Sequence, residues 1–106
     1  MSQSFDAVWE KIVREVRPTQ EIRNWGQARG YTGGTFCIEQ IDRSGILVSG
    51  GNMSVARPVS RGDFEKVYNV WEAYTGGEYT RAEMTQISQN TTYILSILHL
   101  TLRDGR

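Results

Sequence analysis

The sequence predicts an α+β fold: an N-terminal helix, an antiparallel sheet of three to four strands, and three C-terminal helices, the last two forming a helix-turn-helix-like pair. Three observations predict it. Apolar residues recur at helical spacing over 5–16. Runs of β-forming residues, separated by turn-forming stretches, occupy 35–59. From residue 60 onward the helical period returns, punctuated by caps and paired glycines. A chain of 106 residues holds one core, so the expected organisation is a single domain, 1–106: helix at 5–16, sheet region at 20–59, helical region at 60–103.

In the first helix Phe5, Val8, Trp9, Ile12, Val13 and Val16 form one stripe, and Asp6, Glu10, Lys11, Arg14 and Glu15 take the other face. Ser4 is placed to cap its start, and Pro18 forbids continuation. Ile22 and Trp25 mark a short extended piece. Gly26, Gly30, Gly33 and Gly34 predict a flexible loop after it. GTFCIEQI, GILVSG and MSVARPV then read as strands of a meander, with turns at 42–45 and 50–52. Pro58 belongs near the edge or end of that sheet. Cys37 is the sole cysteine, and a buried strand position is its expected role.

Ser60 and Asp63 form a capping box before a helix with an apolar face of Phe64, Val67, Tyr68, Val70, Trp71 and Tyr74, stopped by Gly76 and Gly77. Thr80 and Glu83 form a better box, opening a short helix. Ser88-Gln89-Asn90 is the turn, and the last helix runs over 91–103. YTGG occurs at 31–34 and again at 74–77. The flanks differ, so both copies are read as independent turns, and neither has the spacing of a phosphate loop.

Composition bounds function. Apolar residues at 39% and charged residues at 23% are ordinary for a globular chain. No run of 18 apolar residues exists, so no membrane contact is expected. The N-terminus lacks a basic stretch followed by an apolar one, so no signal peptide is expected and the cytoplasm is the default location. Net charge is zero, which argues against indiscriminate nucleic-acid binding. Ten of the twelve basic residues are Arg, whose planar fork suits phosphate and guanine; a GC-rich genome would produce the same bias.

On a helical wheel Thr92, Ser96, His99 and Arg103 share one narrow face of the last helix, opposite Ile94, Leu95, Ile97, Leu98 and Leu102. Read as a water-facing row, these side chains offer donors to phosphates or base edges, and Gln89 and Asn90 extend the row into the turn. Arg57, Arg61 and Arg81 near the junctions are the expected phosphate contacts. Arg23, Asn24 and Arg29 flank Trp25, which could stack on a base, though a core plug under the loop is the more ordinary role. His99 is the only histidine and has no partner at ligand spacing, so no metal or cofactor is expected. Ser96 and His99 lie three apart on one helix without a nucleophile turn, so no catalytic triad and no enzyme is expected. Arg61-Gly62-Asp63 is a chance adhesion tripeptide at a helix start. The sequons at Asn52 and Asn90 have no bearing on a chain expected in the cytoplasm.

Over residues 34–101 the pattern resembles a small module that accompanies bacterial restriction and HNH-type nucleases. The residues that carry the resemblance are Ser60-Arg61-Gly62-Asp63-Phe64, then Gly77 with Arg81 and Glu83, then Asn90-Thr91-Thr92-Tyr93-Ile94. The resemblance implies a DNA-associated accessory domain of bacterial or phage origin without an active site of its own. No nuclease domain follows within these 106 residues, so it carries no cleavage, and it does not cover the first helix. The leading expectation is therefore a non-enzymatic module that binds DNA, double-stranded in preference to single-stranded. The alternative is a protein-interaction module, a small inhibitor or a dimerising subunit such as a homodimer, favoured by zero net charge and eleven aromatic residues.

Overall fold

Ser4 accepts a hydrogen bond from the Ala7 N–H at 3.2 Å and starts helix α1, Phe5–Glu15. Its stripe of Phe5, Val8, Trp9 and Ile12 is buried. Arg17 to Gln20 turn the chain, with Thr19 at positive φ, into a four-stranded antiparallel sheet. Its strands are β1 (Glu21–Gly26), β2 (Gly30–Asp42), β3 (Gly45–Ser49) and β4 (Arg57–Ser60), and their spatial order equals their chain order. Helices α2 (Arg61–Tyr68), α3 (Trp71–Thr75), α4 (Arg81–Ile87) and α5 (Thr91–Leu102) follow. This computed structural model describes residues 4–26, 30–50 and 55–102.

The sheet is two-faced because its side chains alternate. Ile22, Phe36, Ile38, Ile46, Val48 and Val59 are buried on one face. They meet α1, α2 and α5 in a single apolar cluster that includes Phe64, Val67, Ile94, Leu95, Ile97 and Leu98. The other face carries Thr35, Cys37, Leu47, Ser49 and Pro58, half-buried or exposed. Cys37 is thus half-buried on the outer face, not in the core as expected, because register puts it opposite Ser49 while its neighbours Phe36 and Ile38 point inward. No helix among the described residues is long and apolar enough to cross a membrane.

Two further expectations need correction. The glycines at 30–34 are strand, not loop: β2 begins at Gly30 and pairs with Trp25 and Gly26 of β1. A Cβ on Gly34 would lie 2.7 Å from Asn24 Nδ2, so the absent side chain serves a close approach rather than a free hinge. The first YTGG copy is therefore strand. The second is a helix stop, with Gly77 at φ 89°. The helix expected over 61–75 breaks at Asn69-Val70, two weak helix formers, with Val70 at φ −114° and ψ 12°. The break re-aims the chain so that Trp71 and Tyr74 reach Trp25, at 5.9 and 6.3 Å between ring centroids. The expected turn at 50–52 and the start of the third run, 53–54, fall largely outside the described residues. So do Arg29 and Arg103.

Candidate nucleic-acid interface

Helices α4 and α5 are joined by the short turn Ser88-Gln89-Asn90. Thr80 accepts from the Glu83 N–H at 3.2 Å and Glu83 Oε1 accepts from the Thr80 N–H at 2.9 Å, so both halves of the capping box hold α4. Thr91 Oγ1 donates to the Met84 carbonyl at 3.1 Å and to the Ser88 carbonyl, fastening the turn from inside.

Asp63 organises that turn from α2. Its N–H donates to Ser60 Oγ at 3.1 Å, as the helix start predicts. Its Oδ2 accepts from Ser88 Oγ at 3.1 Å and from Asn90 Nδ2 at 3.1 Å. The Asn90 N–H donates to Ser88 Oγ at 3.0 Å, and Arg57 donates to Asn90 Oδ1 at 3.4 Å. A carboxylate in the first turn of α2 is also favoured by the helix dipole. The sequence made Asp63 the reciprocal half of a capping box with Ser60, but only the Ser60 half forms; the Asp63 carboxylate serves Ser88 and Asn90 instead, 25 and 27 positions away.

The four-residue row on α5 is not a water-facing row. Ser96 is 2% exposed; its hydroxyl accepts the Trp25 N–H at 2.9 Å and donates to the Thr92 carbonyl at 2.7 Å. The His99 ring stacks on Trp25 at 4.0 Å with an interplanar angle of 7°, and meets Tyr31 edge-on at 5.7 Å. Thr92 is half-buried and accepts a hydrogen bond from Arg81. Arg103 lies outside the described residues. The physical reason is that α5 packs its "polar" arc against β1 as well as its apolar arc against the core. A hydroxyl or an imidazole tolerates burial once its polar atoms are partnered, so polarity on the wheel did not mean solvent.

The arginines divide into two kinds. Arg61 is an internal clasp: it pairs with Asp6 of α1 and lies 4.9 Å above the Phe5 ring, so it is not a free phosphate contact. Arg57 and Arg81 are exposed and both reach the beginning of α5, through Asn90 and Thr92. Gln89 between them is exposed. The first intrahelical bond of α5 runs from the Ile94 N–H to the Asn90 carbonyl at 3.1 Å, so the N–H groups before residue 94 stand outside the helical ladder. Asn90 itself belongs to the turn's scaffold. Structure therefore brings together Arg57, Arg81, Gln89, Asn90 and Thr92 at one end of α5, and separates from them Ser96, His99 and Arg61.

At the other end of α5 an aromatic column was missed by sequence reasoning. Arg23 lies 4.2 Å over the Tyr31 ring, Tyr31 touches His99, His99 stacks on Trp25, and Trp25 meets Trp71 and Tyr74. Trp25 thus takes the role of a core plug, with His99 occupying the face that a base would need. The only prior signal was the Arg23-Asn24-Trp25 cluster, since His99 and Tyr31 come from distant segments. Comparison with family models, with curated proteins and with solved structures finds no match to this chain.

Proposed function

We propose that the protein is a non-enzymatic DNA-binding accessory module that grips phosphates at the start of α5 and does not insert α5 into a groove. One observation carries the reading: two exposed arginines, Arg57 and Arg81, donate to Asn90 and Thr92 at the start of α5. Helix starts bind phosphate through their unladdered N–H groups and dipole, and Arg adds directed charge. Seven buried residues on α5 leave it no free face to read bases, so binding is to the backbone and weakly dependent on sequence. The restriction-associated, bacterial or phage setting implied by the resemblance belongs to the same proposal.

Fluorescence anisotropy on labelled mixed-sequence duplex tests it. Two phosphate contacts give a slope of roughly −1.8 in log K against log salt, so binding weakens by about tenfold from about 50 to 200 mM salt. Arg57→Ala with Arg81→Ala flattens that slope and leaves the melting temperature nearly unchanged. A wild-type protein that shows no saturable, salt-sensitive binding sinks the proposal. The second reading, a protein-interaction module, is favoured by zero net charge and by the open outer face of the sheet, where Leu47 and Pro58 pair. Dimer formation in sedimentation without DNA binding supports that reading instead.

A further inference from the structure

The edge of β1 opens beside α5. The Gln20 carbonyl accepts the Ile38 N–H at 2.9 Å, and Ile22 stands opposite Phe36. Backbone groups alternate sides along an antiparallel strand, so Gln20 and Ile22 turn theirs toward β2 while Glu21, Arg23 and Trp25 turn theirs away. α5 answers this outward row at one point only, where the Trp25 N–H donates to Ser96 Oγ at 2.9 Å. The register thus turns the N–H groups of Glu21 and Arg23 away from β2, and no bond from either to a turn, a helix or a side chain is found among the described residues. A cleft of about 240 Å³ lies there, lined by Ile22, Arg23, Tyr31, Ser96, His99 and Leu100 among others.

An unanswered strand edge is a template for another strand, and a groove between such an edge and a helix is a recurring peptide site. We infer that this edge binds an extended peptide segment of another protein by strand addition. The pairing covers Glu21 to Arg23, about three to five peptide residues, and ends where Ser96 already holds Trp25. Three features define the peptide. Its backbone carbonyls take the Glu21 and Arg23 N–H groups. Its central residue is apolar and enters the cleft over Leu100. Glu21 and Arg23 are two strand rises apart, about 6.6 Å, and favour a basic and an acidic residue on either side of that centre. Arg23 lies flat against Tyr31, which holds its guanidinium in place while its N–H edges stay available.

Amide hydrogen exchange on the free protein is the first test: the Arg23 N–H exchanges fast while those of Ile22 and Trp25 are protected. A protected Arg23 N–H means the edge is already paired and overturns the inference. The second test adds blocked Val-Lys-Val-Asp-Val and Val-Asp-Val-Lys-Val to labelled protein and follows amide shifts. Saturable shifts centred on residues 21–23 with one peptide support it, and the preferred order reports a parallel or an antiparallel addition. No shift with either at millimolar peptide overturns it. Arg23→Pro removes an outward N–H without touching the ladder to β2 and weakens binding by about tenfold. Arg23→Ala keeps the N–H and loses only the charge preference. Equal binding by wild type and Arg23→Pro refutes strand addition. Arg57→Ala with Arg81→Ala leaves peptide binding intact, so failure here and failure of the DNA reading are separable.

Discussion

The two ends of α5 use polar residues in opposite ways. At its start, hydrogen bonds knit Asp63, Ser88, Asn90 and Arg57 into a network that runs from buried Ser88 through half-buried Asp63 and Asn90 to exposed Arg57. Farther along it, Ser96 and His99 are drawn inward, one to satisfy a strand N–H and the other to complete a stack on Trp25. The same helix therefore meets exposed arginines at its first turn and gives its later polar residues to the fold. The lesson is that a polar stripe reports hydrogen-bonding capacity and not exposure; what packs beside it decides which of the two it becomes.

Substitutions sharpen this contrast. The largest effect is expected at the aromatic end. Trp25→Ala removes the shared partner of His99, Trp71 and Tyr74 and should cost about 3 kcal/mol in urea unfolding, with little change at the Arg57 end. Asp63→Ala comes next. It strips the acceptor of Ser88 and Asn90, and Ser88 is buried, so roughly 2 kcal/mol should be lost and the turn amides of 88–90 should exchange faster. If Asp63→Ala proves neutral, the turn is held from inside by Thr91 alone.

The smallest effect belongs to an aspartate in a purely exposed turn. Hydrogen bonds from the Ser44 hydroxyl, then from the Ser44 and Gly45 N–H groups, hold the Asp42 carboxyl below its ordinary range. A depressed folded-state pKa contributes stability above the unfolded value, and that stability is lost as pH falls through the folded value. Ser44→Ala should move the Asp42 titration, followed by NMR, up toward the ordinary value, so that less stability is lost in acid and the loss is complete at a higher pH. An unmoved titration would assign the shift to the backbone donors alone. Comparing Asp42 with Asp63 then separates a turn-local carboxylate from one that ties two helices together.

Much of the architecture was legible because it rests on local periods. The stripe of α1, the caps at Ser4 and Thr80, the β-forming runs and the Gly76-Gly77 stop follow from residues a few positions apart. Less of the site was legible. Arg57 and Arg81 are exposed beside the start of α5, whereas Arg61 is taken by Asp6, 55 positions away. The glycines of 30–34 look like a loop in any window, and only their partner strand makes them β2.

By itself the chain determined its class, element order and buried apolar stripes, since alternation, the helical period and capping act over a few residues and need no knowledge of neighbours. Only the tertiary structure decided that the hydroxyl and imidazole of α5 turn to β1 and that Asp63 binds the distant turn. It also decided that β1 lies at the edge of the sheet, beside α5. Those outcomes depend on which surfaces meet across long stretches of sequence, and no local period encodes that.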